Sequence, residues 1–195
     1  YSNDVGIITR SSVSPKIAAT SSMIAQNGSE FGFDLGTKVY NYGTSAQSNV
    51  TVTATVTGPA GTWTQTSAAY TLNSGDSIDV FTGGINTIPA YSQSTYPDGR
   101  YTLTYQIDLG IPDESNFDNS VSYDFVISDS LIGYGSIDPT TNLPKSSANF
   151  RPSGSATFEL CIAFQDPNAS RLAIEGLYFS AVTAYNSGVD LSGEE

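Results

Sequence analysis

The stretch GRYTLTYQIDL, residues 99–109, decides the fold class. Tyr101, Leu103, Tyr105, Ile107 and Leu109 fall on alternate positions, with Thr102, Thr104, Gln106 and Asp108 between them. Successive side chains of a strand point to opposite faces, so a period of two marks a strand with one dry face and one wet face. Two other stretches repeat the pattern. In NVTVTATVT, residues 49–57, Val50, Val52, Ala54 and Val56 alternate with four threonines. In NSVSYDFVI, residues 119–127, Val121, Tyr123, Phe125 and Ile127 alternate with Ser120, Ser122 and Asp124. Three such strands predict antiparallel sheets packed face to face in a sandwich.

Outward from these, shorter strands are expected over residues 4–9, 33–41, 69–72 and 77–82. Asn41-Tyr42-Gly43, Gly58-Pro59-Ala60-Gly61, Asn73-Ser74-Gly75-Asp76 and Pro97-Asp98-Gly99 supply the residues that chain reversals need. That makes seven strands before Asp129, a sandwich count. Residues 16–26 form the one helix-like stretch, and they are rich in Ser and Thr, which favour helices weakly.

Composition narrows the function. Apolar residues make up 38% of the 195 and charged residues only 13%, a mixture that suits half-buried strands. The net charge is −12, with seven scattered basic residues, and binding to phosphate backbones needs clustered Lys and Arg. Nucleic acid is therefore not an expected partner. The chain has no histidine, which excludes Ser-His-Asp and Cys-His catalysis and His-ligated zinc. Cys161, the single cysteine, is expected as a small buried hydrophobe rather than a nucleophile. No apolar run approaches the roughly 20 residues of a membrane span. The chain opens at Tyr1 without an initiator Met or a charged-then-apolar leader, which predicts a mature exported chain or a segment of a longer one.

The order of several short motifs resembles a known family. Asp4-Val5-Gly6-Ile7, then Val39-x-Asn41-x-Gly43, then Gly99-x-Tyr101-x-Leu103, then Asp113-Glu114-Ser115-Asn116 leading to Asp118-Asn119, is similar to the bacterial CARDB module, the cell-adhesion-related domain found in bacteria. The resemblance covers about residues 3–128. It implies an immunoglobulin-like sandwich of the kind repeated in exported surface proteins and secreted hydrolases. The family often closes its last motif with two adjacent asparagines, where this chain has Asp118 first, and residues 10–31 form an insertion.

The stretch most suggestive of chemistry is IPDESNFDNSVSYDF, residues 111–125. It lies between two of the best strands, and the expected role is their connecting corner. Asp and Asn side chains can bond backbone N–H groups one or two residues on, so Asn116 and Asn119 are expected to fix the turn. The rival reading is calcium held by Asp113, Glu114, Asn116, Asp118 and Asn119, since calcium takes about six to eight oxygens. The D-x-D-x-D-G loop that would favour it is missing. A paired-carboxylate glycosidase site needs a cleft between its acids, and a hairpin corner predicts none. No catalytic residue, cofactor or metal is therefore assigned.

Beyond Asp129 the composition shifts to Gly, Pro, Asn and Ser. A second, smaller and incomplete β module is expected over residues 129–195. Phe158, Leu160, Ile162 and Phe164 would share one face, with further strands near residues 131–137 and 177–182. The run FELCIAFQDPNASRLAIEGLYFSA, residues 158–181, is similar to segments that follow such sandwiches in surface proteins of type IX-exporting bacteria. Asn27-Gly28-Ser29, Asn49-Val50-Thr51 and Asn168-Ala169-Ser170 match the sequon pattern, and Asp76-Ser77-Ile78 and Asp129-Ser130-Leu131 match short O-glycosylation patterns. Of the 12 tyrosines, Tyr101, Tyr105 and Tyr123 are expected in the core. Tyr40, Tyr42, Trp63, Tyr91 and Tyr96 are the candidates for exposed contact.

These readings predict a non-catalytic module of a bacterial secreted or cell-surface protein, serving structure, adhesion or assembly. Its partners would be other protein domains, copies of itself or a surface glycan. Two alternatives stand beside it: an ancillary domain of a secreted peptidase or glycosidase, and a carbohydrate-binding lectin-like domain.

Overall fold

A computed structural model describes residues 1–15, 17–23, 35–81, 96–135, 137–138, 140–141, 143, 163–165 and 168–177. Among the described residues nine strands precede Asp129: β1 (Val5–Ile7), β2 (Ala19–Ser21), β3 (Thr37–Asn41), β4 (Gln47–Gly58), β5 (Gly61–Thr66), β6 (Tyr70–Leu72), β7 (Ser77–Val80), β8 (Gly99–Asp108) and β9 (Ser120–Ser128). They build two sheets. One runs β1-β3-β7, and the other runs β2-β9-β8-β4-β5 with β6 also paired to β4. All pairings are antiparallel except β2 with β9, which is parallel. The protein is an all-β sandwich, as the alternating runs predict.

The register shows why the alternation is so regular. Val52, Ala54 and Val56 of β4 stand opposite Ile107, Tyr105 and Leu103 of β8, and Tyr101, Leu103 and Tyr105 stand opposite Phe125, Tyr123 and Val121 of β9. Each pair projects to the same side, so one face of the large sheet is continuously apolar. Val5, Ile7, Val39 and Val80 cover it from the small sheet, and these side chains form one core. Expected core residues Val50, Val52, Val56, Leu103, Tyr105, Ile107 and Phe125 are buried; Tyr123 is half-buried. The opposite face of the large sheet is a field of hydroxyls, where Thr53 shares a hydrogen bond with Thr66 (2.9 Å) and Thr104 with Ser122 (2.8 Å).

The core tyrosines keep their hydroxyls satisfied at the sandwich margins. Tyr105 Oη donates to Val13 O (2.8 Å) and accepts the Gly36 N–H (3.2 Å), and burial pushes its phenol up to about 12. Tyr101 donates to Pro97 O (2.6 Å) and Tyr123 to Thr9 O (3.1 Å). An unsatisfied buried hydroxyl would cost about 1–3 kcal/mol, so these bonds make large aromatic side chains acceptable core fillers.

The structure corrects the strand inventory in two places. The helix-like stretch contains β2, whose Ala-Thr-Ser sequence has no apolar period and is held as a strand by its pairing to β9. The reversal at Pro59 and Ala60 is a tight hairpin, with Gly58 opposite Gly61, that leads into the unanticipated β5. Beyond Ser128 the described residues include a bridge between Gly133 and Ala19 and a short 3-10 turn at Ala169–Arg171. Phe164 meets Tyr134 edge-on at 6.2 Å, and Tyr134 Oη donates to Ala163 O (3.4 Å). Leu177 is exposed and lies outside any strand. Phe158, Leu160, Cys161, Ile162 and residues 178–182 lie outside the described residues, as does Asn27.

Candidate functional site: the acidic corner

Three of the four motifs that carry the family resemblance meet at one end of the sandwich. β1 pairs with β3 through its even positions, since Tyr42 N–H donates to Asp4 O (2.8 Å) and Ile8 N–H to Lys38 O (2.8 Å). The amides of Val5 and Ile7 consequently point away from β3, along an open sheet edge. The β8–β9 corner takes both. Val5 N–H donates to Asp113 Oδ2 (3.2 Å), and Ile7 N–H donates to the backbone oxygen of Asp118 (2.9 Å).

Glu114 extends the contact towards the chain start. Its Oε2 accepts the Ser2 and Asn3 N–H groups, and its own N–H donates to Asn3 O (2.9 Å). Those two backbone donors hold the Glu114 carboxyl below its ordinary value. Asp113 also turns the corner itself, because Oδ1 accepts the Ser115 N–H (2.9 Å). The carboxylate of Asp118 lies over Gly6, with Tyr42 on the other flank, in space that a Cβ on residue 6 would fill. Burial, then the neighbouring Asp4 and Asp113 charges, push the Asp118 carboxyl up. Burial, then Asp113 and Glu114, do the same to Asp4.

The middle motif anchors the other side of β1. Asn41 is fully buried, donates to Ser45 O (2.9 Å) and Leu72 O (3.0 Å), and accepts the Gly43 N–H (3.0 Å). Gly43 donates to Asp4 O (3.0 Å), and a side chain there would collide with Ser2 O and the Asp4 nitrogen. The fourth motif, around Tyr101, belongs to the core.

The expected role of the asparagines changes. Carboxylates, not amides, make the corner's side-chain hydrogen bonds. Asn116 is exposed and accepts the Asn119 N–H through its backbone oxygen (3.5 Å); Asn119 accepts the Ile107 N–H through its own (2.8 Å). The Asn119 Oδ1 atom is buried without a hydrogen-bond partner. Charged acceptors make stronger bonds to backbone N–H groups than neutral amides do, which suits them to capping an edge. As for calcium, both Asp113 oxygens and Glu114 Oε2 are occupied by backbone donors. Among the described residues no three acidic, histidine or cysteine side chains converge on a metal position.

The exposed-contact aromatics disperse. Tyr40 and Tyr42 pack 4.5 Å apart with their rings inclined at 51°, and Tyr42 is 54% exposed. Tyr96 is buried against Tyr101, contrary to expectation, because its ring closes the core beside the β4–β5 hairpin. Half-buried Trp63 lines a cleft of about 220 Å³ with Val56, Tyr96 and Tyr101. Tyr91 lies outside the described residues. A second cleft, of about 360 Å³, lies beside Tyr123, Asp124 and Tyr134, and Asp124 there is already paired with Arg100 (2.6 Å) and Thr102 (2.8 Å). The T-W-T-Q-T alternation of β5 was a readable signal. The reach of the corner to β1 had none, because Val5 and Asp113 are 108 residues apart.

Among the described residues no helix is long and apolar enough to cross a membrane. No protein-family model matches the chain, and no curated protein matches it.

Proposed function

We propose that this chain is a non-catalytic extracellular module of a bacterial secreted or cell-surface protein, serving structure, adhesion or assembly. One observation carries the reading: the stretch richest in potential chemistry is hydrogen-bonded to the chain's own backbone, where it fastens β1. The low charge density, the acidity and a motif order that resembles that of CARDB modules support it further. An ancillary role beside the catalytic domain of a secreted peptidase or glycosidase fits the same features. Antibody raised against the purified chain tests the location: labelling of intact cells is expected, and labelling only after permeabilisation would overturn it.

The Tyr40–Tyr42 pair favours a second reading, a surface glycan stacked on an exposed ring. Binding on a glycan array that Tyr42→Ala abolishes is the expected result for that reading, and unchanged binding would dismiss it.

A further inference from the structure

Five of the described strands have an outer edge: β1 and β7 in the small sheet, and β2, β5 and β6 in the large one. An open edge offers unpaired N–H and C=O groups to any extended chain, and folds commonly guard such edges. Among the described residues three of these edges are guarded, and β6 is only three residues long. The acidic corner caps β1. β2 exchanges hydrogen bonds with Gly133, Ala19 N–H to Gly133 O (3.0 Å) and Gly133 N–H to Ala19 O (2.9 Å). β7 has only four residues and bears Asp79, paired with Lys38 at 3.3 Å.

β5 differs. The Ser67 N–H donates to Val52 O (2.9 Å), so 52 and 67 form a hydrogen-bonded pair of the antiparallel ladder. Such pairs recur every second residue. With the observed register they are 54 with 65, 56 with 63, and 58 with 61. The backbone groups of Thr62, Thr64 and Thr66 therefore face away from β4. The far side of the sheet agrees: the Ile107 N–H bonds Asn119 O, which turns odd β8 residues towards β9 and even ones towards β4. All three threonines are exposed, and GTWTQT contains no proline, lysine or acid. No hydrogen bond to another described residue occupies their outward backbone groups.

We propose that two copies of this chain pair antiparallel through β5 about a two-fold axis at Thr64. In that register Thr64 faces the partner's Thr64, and Thr62 faces the partner's Thr66. The edge is thus self-complementary, as a two-fold interface requires. It repeats on its outer side the threonine-to-threonine pairing already made inside, where Thr57, Thr55 and Thr53 face Thr62, Thr64 and Thr66. No charged side chain meets a like charge along the strand. The net charge of −12 on each copy opposes approach at long range, and salt screens that repulsion. The inference deepens the assembly reading above. Its test reads mass rather than location, so the two can fail separately.

The experiment is light scattering of the full chain across protein concentration at low and physiological salt. The mass is expected to rise towards two chains, at lower protein concentration when salt is added. Thr64→Lys sets two ammonium groups directly opposite each other and should remove the association. Thr64→Glu should do the same, and an equimolar mixture of these two variants should associate again. Thr64→Pro is the second line of test, because it deletes only an outward N–H and leaves the β4 ladder intact. A wild-type mass of one chain at every concentration and salt would overturn the proposal. So would self-association that survives Thr64→Lys and Thr64→Pro unchanged.

Discussion

The carboxylate of Asp118 occupies the space that a side chain at residue 6 would need, so Gly6 and Asp118 are complementary across the interval between the first and last motifs. Beside them, the N–H of Ile7, the residue after Gly6, donates to Asp118 O (2.9 Å). Gly6→Ala forces the carboxylate out and is expected to cost about 1–3 kcal/mol, the usual penalty of overpacking. Asp118→Ala in the same chain should recover part of that loss. Urea titration of the two single variants and the double variant measures the coupling, and strictly additive losses would show that the two residues do not compete for that space.

Asn41 and Asn116 separate buried amides from exposed ones. Asn41→Ala removes three side-chain hydrogen bonds, among them the buried one to Leu72 O, an expected loss of about 3 kcal/mol. Asn116→Ala should change stability by less than about 0.5 kcal/mol. Equal losses at the two sites would contradict this assignment of roles.

Acidification should act in two opposite steps. Asp4 and Asp118 have raised folded values, so their contribution to stability is fully present below the unfolded value and is lost as pH rises through the folded one. Glu114 is lowered, so its contribution is present above the unfolded value and is lost as pH falls through the folded one. The melting temperature should therefore first rise as pH falls from neutrality into the upper carboxylate range, then drop on further acidification. Asp118→Asn should diminish the rise, and Glu114→Gln should diminish the later drop. A profile that only falls from neutrality would contradict the Asp4 and Asp118 environments.

Calcium and chelator should leave the melting temperature unchanged, since the Asp113 oxygens and Glu114 Oε2 already accept backbone N–H groups. A calcium-dependent rise abolished by Asp113→Asn would restore the metal reading.

The legible parts of this fold are those in which burial imposes a local period. β4, β8 and β9 are long enough for alternation to show, and the partners on each side repeat it. β5 has the same alternation in T-W-T-Q-T, obscured because only Trp63 in it is strongly apolar. β2 was not legible, since three small residues become a strand only when β9 and Gly133 arrive from more than 100 positions away. For the corner, composition marked the place but not the recipients. Acids signal acceptors, and nothing local says that the donors are the outward amides of β1.

The division of the N-terminal segment between the sheets has a mechanical meaning. β1 lies in one sheet and β2 in the other, and β2 runs parallel to β9. Tension drawing the N-terminal side away from the C-terminal side of β9 would first load the corner's bonds to Ser2, Asn3, Val5 and Ile7. Once β1 came free of the corner and of β3, the force would run along β2 and β9 in opposite senses. The bonds from Val126 N–H to Ala18 O (2.8 Å) and from Ser22 N–H to Ser128 O (2.6 Å) would then be strained together in shear rather than unzipped singly. Loaded in this way, the sandwich would yield in two stages: an early release at the acidic corner and β3, then a stiffer stop between parallel strands.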